Sequence, residues 1–313
     1  MNASSDLIRK LKARKAQRVV LQFPEGLKRQ SHAWVTALRD AGFEVIVSGD
    51  PCYGACDLAL DTLARADVLV HVGHAPVDDQ QDVIFEPWQV DFDPTVLEQA
   101  VPLLNRPVTG LVTTVQHTHL IPAMEDFLRS KGIDVRVAEG SGRTPLRGQV
   151  LGCCFTAAKK TCADEILFVG TGLFHPIGIA LATKAPVIAL DPMTGNVEEV
   201  SGEALLRRRF ALMEKAREAE TVGIIVSSKS GQKRMDLARR LAALAPGAVI
   251  VTMQEVNPDE LLNLGFDCYV NTACPRLAYD DQGRFPVPVL SPQEYEILCG
   301  FRHWDDYAID EIV

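Results

Sequence analysis

Short apolar runs alternate with amphipathic stretches along this chain, the pattern of parallel α/β sheets whose buried strands are separated by surface helices. The pattern recurs three times. A first strand is expected at residues 18–23, again at 108–113 and again at 222–226. Each leads towards a helix such as 31–41, where Trp34, Val35 and Leu38 fall on one face at helical spacing. Second strands follow at 43–48, 133–138 and 248–253, and third strands at 66–70, 163–167 and 266–270. A fourth is clearest at 186–190, with weaker candidates at 83–85 and 287–290. Self-similarity of this kind points to one architecture used three times.

The fold class expected is therefore α/β, with three similar domains at 1–103, 104–207 and 208–313. Each is a small, mainly parallel sheet flanked by helices. The second boundary falls in or beside a helix over 203–220, with Leu206, Phe210 and Met213 as its packed stripe. Ligands of open α/β sheets collect beyond the carboxyl ends of the strands, so three such edges facing one another would enclose a central site.

A length of 313 residues suits two or three domains, and the repeat decides for three. With 47% hydrophobic and 23% charged residues the chain has material for buried cores, which excludes disorder. No apolar run reaches the roughly 18 to 20 residues a bilayer requires. The basic start lacks the apolar stretch of a signal peptide, so a cytoplasmic protein without membrane contact is expected. A net charge of -9 argues against a broad nucleic-acid footprint, and Arg207, Arg208 and Arg209 are expected to form one solvated helix face. Eight cysteines in such a protein are hard to explain as disulfides, so some are expected to bind metal.

The repeat itself selects among them. Ala-Asp opens the third strand at Ala66-Asp67 and at Ala163-Asp164, and Cys56 and Cys153 each lie ten residues before that alanine. The third unit has Val256 at the matching place. Yet Cys274 lies seven residues after Asp267, where the first unit has His74 seven after Asp67. Each repeat thus offers one thiolate from a loop at the ligand edge. Three thiolates suit a cubane cluster with one iron left open, or a catalytic zinc with water as fourth ligand, and the spacing does not separate these. Tyr53-Gly54-Ala55 and Gly152 fit close backbone approach, while Pro275 stiffens the loop after Cys274. Cys162, Cys268 and Cys299 are expected to be small buried hydrophobes. Cys52 and Cys154 each neighbour a chosen ligand and can replace it. Ala59 stands where the usual radical S-adenosylmethionine motif would place a third cysteine after Cys52 and Cys56, so any cluster must recruit thiolates from far along the chain.

Residues 49–57, 70–74, 151–153 and 271–277 together resemble the archaeal 2-(3-amino-3-carboxypropyl)histidine synthase family of diphthamide biosynthesis. The resemblance runs from Phe23-Pro24-Glu25-Gly26-Leu27 to Cys274-Pro275-Arg276. It implies a triplicated fold, a homodimer and a 4Fe-4S cluster on Cys56, Cys153 and Cys274. The activity it implies is reductive cleavage of the sulfur-to-Cγ bond of S-adenosylmethionine. The resulting 3-amino-3-carboxypropyl radical is added to C2 of a histidine of elongation factor 2, with an electron donor that the sequence does not name.

Residues that orient this cosubstrate are sought in loops at the same edge. Backbone N–H groups around Ser228, Lys229 and Gln232, ahead of a helix expected from Lys233, can hold an anionic group, and Gly170, Thr171 and Gly172 can offer further donors. Ordinary capping and turn formation are the plainer roles for both segments. Arg276 is placed to pair with a carboxylate. His74 and His175 are candidates to meet substrate or the incoming imidazole, against the simpler reading of structural hydrogen bonds. Lys233 and Arg234 are read as a solvated helix start. Two rival functions stand beside this one: a quinolinate synthase-like 4Fe-4S enzyme, and a non-catalytic metal or small-ligand binding protein.

Overall fold

The aliphatic runs become strands in all three expected places. The computed structural model describes residues 4–312. The first sheet holds β1 (Arg18–Gln22), β2 (Glu44–Val47), β3 (Val68–Gly73) and β4 (Val83–Pro87). The second holds β5 (Thr109–Thr113), β6 (Val135–Arg136), β7 (Glu165–Val169), β8 (Val187–Leu190) and β9 (Val197–Val200). The third holds β10 (Val222–Ser227), β11 (Val249–Met253), β12 (Cys268–Asn271) and β13 (Val289–Leu290). Their orders are β2-β1-β3-β4, β6-β5-β7-β8-β9 and β11-β10-β12-β13, so the second, first, third and fourth strands neighbour one another identically in each unit. All pairings are parallel except β8 with β9. The edge strand β9 is an addition to the expected set. Its sequence Val-Glu-Glu-Val buries too little apolar surface to announce itself.

The recurring aspartate has a structural cause. Asp67 Oδ2 accepts the amides of Gln17 (2.8 Å) and Arg18 (2.7 Å), fastening the start of β3 to the start of β1. Asp164 accepts from Val108 N at 3.1 Å, and Asp267 from Thr221 N at 2.9 Å, at the same places in the other units. A carboxylate there satisfies amides at the sheet edge that would otherwise lack partners. Strands β3, β5 and β7 are buried throughout, as strands covered on both faces must be.

Two expectations about helices need correction. The helix Glu203–Ala216 buries Leu205, Arg209, Met213 and Ala216, whereas Phe210 is exposed. Its inner face is therefore turned from the expected Leu206-Phe210-Met213 stripe. Arg209 is not part of a solvated face: it is buried against Glu294, leaving Arg207 and Arg208 outside. Leu205 packs on the second unit's core and Met213 on the third's, so this helix joins the two units. Leu97 and Ala100 pack with Leu111 and Met124, so the 3₁₀ turn Pro94–Gln99 already belongs to the core around β5.

Candidate functional site

The three selected cysteines converge. Cys56, Cys153 and Cys274 line one cavity of about 240 Å³, together with His74, His175, Arg143 and Arg276. The cavity lies beyond the carboxyl ends of the strands, where crossover topology leaves an open crevice. Neither Cys52 nor Cys154 lines it. A larger cavity of about 540 Å³ opens at the opposite edge of the second sheet around Arg106, Glu165, Lys184 and Glu199, with no thiol or imidazole in its wall.

Each thiol-bearing loop is fixed by its own bonds. In the first, Gln22 Nε2 donates to Asp57 O (2.7 Å), Lys229 Nζ to Asp57 Oδ2 (2.9 Å) and Gln232 Nε2 to Cys56 Sγ (3.1 Å). In the second, Ile312 N donates to Cys153 O at 2.7 Å, so the end of the chain clamps the loop of the middle unit. In the third, Asn271 Nδ2 donates to Cys274 O (2.8 Å), and Arg234 Nε and Nη2 donate to Thr272 O (2.8 Å) and Ala273 O (3.0 Å). Arg234, expected at a solvated helix start, is instead a half-buried brace that also pairs with Asp310.

All eight cysteines are free thiols. Burial raises the pKa of Cys56 and pushes Cys153 to about 11 and Cys274 to about 12, and each of the latter two is raised further by its thiol neighbours in the cavity. Arg143 opposes this at both Cys56 and Cys153, so its charge lies close to both sulfurs. A metal or cluster must displace these protons, which couples loading to pH. The wall offers three soft sulfurs and no carboxylate, which suits a thiolate-ligated iron cluster. Cys162, expected in a core, is exposed with a φ of 46°, held at a turn after Thr156–Lys160. Cys268 is buried and Cys299 partly so.

Cys52, His71 and His74 also bring their ligand atoms within 4.8 Å of one another. Their bonding explains this without an ion. Gln22 Oε1 accepts from Ala59 N (3.2 Å) and lies 2.9 Å from His71 Nδ1, which must then carry the proton. His71 Nε2 is left to accept from His74 Nδ1, again at 2.9 Å, so His74 retains Nε2 as its acceptor. Burial depresses both rings, His71 to about 3 and His74 to about 4. His175 stacks on Phe168 with centroids 5.7 Å apart and is likewise lowered to about 4, by burial and by the charge of Arg276. Arg276 lies 4.6 Å over the Phe174 ring and holds Asp280 through Nε (2.9 Å) and Nη2 (2.7 Å). Gly152 makes room for this: a Cβ there would stand 2.3 Å from a Phe174 ring carbon.

Other expected residues are placed differently. The amides of Ser228, Lys229 and Gln232 are spent on Met253 O, Ser227 Oγ and Lys229 O, and the next helix starts only at Met235. These three amides are therefore not free to cradle an anion. Lys229 and Gln232 act through their side chains instead. Gly170 donates its amide to Leu190 O, and Thr171 and Gly172 are exposed outside the cavity wall. Two contributors went unread in the sequence. Arg143 sits in a glycine- and serine-rich loop with no periodic signal, and Ile312 belongs to a tail whose role depends on the folded third unit.

Fold and site define a class: a triplicated α/β protein whose three repeats each place one cysteine at a shared cavity suited to an iron-sulfur cluster. Residues 23–308 match the family model "Putative diphthamide synthesis protein". The chain is 37% identical to 2-(3-amino-3-carboxypropyl)histidine synthase of Pyrococcus horikoshii, over 99% of this chain and 93% of that protein. It is 31% identical to subunit 1 of the Homo sapiens synthase, over 94% of this chain and 71% of that protein. The crystal structure of Dph2 from Pyrococcus horikoshii with a 4Fe-4S cluster superposes with a TM-score of 0.92 at 36% identity, covering 99% of this chain and 93% of that one. The chain belongs to the diphthamide synthesis family and is an enzyme of that pathway. This sets aside the non-catalytic and quinolinate synthase-like alternatives. No helix among the described residues is long and apolar enough to cross a membrane.

Proposed function

We propose that the protein transfers the 3-amino-3-carboxypropyl group of S-adenosylmethionine to C2 of a histidine of elongation factor 2, using a 4Fe-4S cluster held by Cys56, Cys153 and Cys274. The observation that carries this reading is the meeting of one thiol from each repeat in a single cavity. When bound, the cluster supplies the electron that breaks the sulfur-to-Cγ bond. The protein's own task is orientation, because placement of the sulfonium decides which of its three bonds breaks.

His74 offers an acceptor nitrogen whose tautomer the Gln22-His71 chain fixes, suited to a donor group on cosubstrate or acceptor. Arg276 presents its guanidinium at the wall while Asp280 and Phe174 hold its direction, suited to the cosubstrate carboxylate. His175, neutral and stacked, closes the wall beside it. The reading includes a homodimer, a separate electron donor and a cytoplasmic setting shared with the acceptor.

Anaerobic reconstitution with iron and sulfide, followed by reduction and assay of methylthioadenosine with elongation factor 2, tests the proposal. Methylthioadenosine and a modified acceptor histidine are expected. Alanine at Cys56, Cys153 or Cys274 abolishes the brown chromophore, while Cys162→Ala and Cys299→Ala retain it. Full iron content in any of the first three variants removes that cysteine from the ligand set.

A further inference from the structure

The loop around Arg143 stands between two of the thiol-bearing loops, joined directly to one and through Gly231 to the other. On one side, Ser141 Oγ lies 3.4 Å and Thr144 Oγ1 3.9 Å from the sulfur of Cys154, next in sequence to Cys153. On the other, Arg143 Nη2 donates to Gly231 O at 3.1 Å. Gly231 in turn is pressed so closely on Cys56 that a Cβ at that position would stand 2.6 Å from Cys56 Cα. The guanidinium lines the cavity beside Cys56 and Cys153, and its Nε is buried without a partner.

Neighbouring cations are already engaged. Lys229 is held by Asp57 and Glu255, Arg234 by Asp310, and Arg276 by Asp280. The hydrogen bond of the Arg143 side chain is to a neutral carbonyl. A buried N–H of a charged group with no acceptor is costly, and it marks the place where an anion belongs. The cavity wall that Arg143 shares with Cys56 and Cys153 holds no carboxylate, so the anion it can meet there is a sulfur of these cysteines in its thiolate form.

We propose that Arg143 is the counter-charge of the cluster site, hydrogen-bonding the thiolates of Cys56 and Cys153 and raising the reduction potential of the cluster they hold. The inference rests on the reading that this cavity takes a 4Fe-4S cluster. A cubane on three thiolates is a net anion that gains one further negative charge on reduction, so a fixed cation and N–H donors at its sulfurs favour the reduced form. A planar guanidinium can serve two sulfurs and the Gly231 carbonyl together, which a single ammonium cannot do with the same geometry. Arg143 is thus a positioning and tuning residue, not one that touches the reacting carbon.

The test is spectroelectrochemical titration of the reconstituted protein, with iron content and S-adenosylmethionine affinity measured on the same samples. Arg143→Gln is expected to load iron fully, bind S-adenosylmethionine as the parent does, and show a more negative midpoint potential. Arg143→Lys recovers part of that shift, because the charge returns without the fork. An unchanged midpoint in fully loaded Arg143→Gln overturns the proposal. So does an unchanged midpoint with lost S-adenosylmethionine binding, which assigns the guanidinium to the cosubstrate. If Arg143→Gln fails to load, Arg143→Lys decides: loading with a midpoint at or slightly below the parent's supports a charge role, and failure of both variants overturns it in favour of a purely structural one. An unmodified protein that yields no iron-sulfur spectrum refutes the cluster reading itself, a result distinct from any of these.

Discussion

Burial keeps His71, His74 and His175 neutral in the folded chain, at pKa values of about 3, about 4 and about 4 against an ordinary 6.5. His117 is displaced the same way. Unfolding returns each ring to water, where it takes up a proton below about pH 6.5. The unfolded chain therefore binds more protons than the folded one across this window, and stability falls as pH drops from about 6.5 towards about 4. Above the window the rings are neutral in both states and contribute nothing to the slope. Carboxylates with lowered pKa, such as Glu125, act only below their ordinary value of 4.5. Thermal midpoints of the cluster-free protein should thus decline between about pH 6.5 and about pH 5; a level profile there would count against buried neutral histidines. The same residues mark what could be seen in advance. Cys56, Cys153 and His74 were legible because the aspartate that fastens each third strand acts as a ruler along the chain. Arg143 was not, since its place depends on loops from two other units that fold against its own.

At the scale of single elements, the helix Glu203–Ala216 shows how a buried ion pair defeats a hydrophobic pattern. Leu205, Arg209 and Met213 share a face at the spacing of four residues that a helix requires. A polar residue at the middle position sent the sequence reading to the neighbouring Leu206-Phe210 phase. Arg209 tolerates burial because its donors are matched: Nε to Glu294 Oε1 at 2.8 Å, Nη2 to Val289 O at 2.9 Å, and further bonds to Ala278 O and Glu294 Oε2. Glu294 is matched in turn by Ser291 N (2.8 Å) and the Tyr307 hydroxyl (3.1 Å). The pair fastens this helix to Pro292–Leu298 and to Arg276–Tyr279, which begins two residues after Cys274. Removing one partner strands the other charge in the core, so Arg209→Ala or Glu294→Ala should destabilise the protein by about 3–5 kcal/mol. Urea unfolding of the cluster-free protein measures this. A loss below about 1 kcal/mol would mean that the pair is solvated like a surface salt bridge.

Across the whole molecule, the repeat made most of the architecture legible: three sheets with one strand order follow from three copies of one apolar pattern. What it left open was how the sheets face one another, because that depends on contacts between units such as Ile312 on Cys153, Arg143 on Gly231 and Lys229 on Asp57. Those contacts make the cavity a junction of all three units, and a ligand bound there to Cys56, Cys153 and Cys274 would join them thermodynamically. Binding to the folded state alone raises its stability, and here that state requires three units in place at once. The tryptophans allow the coupling to be followed, since Trp34 and Trp88 pack in the first unit's core and Trp304 in the third's. Trp304→Phe leaves fluorescence that reports only the first unit, and a Trp34→Phe/Trp88→Phe pair leaves only the third. After anaerobic reconstitution both reporters should shift to higher temperature together and melt in coincident transitions. In Cys153→Ala, which takes the sulfur from the unit carrying neither reporter, reconstitution should move neither. A shift of one reporter without the other would mean that the bound group touches only part of the molecule, and the three-thiol junction would have to be abandoned.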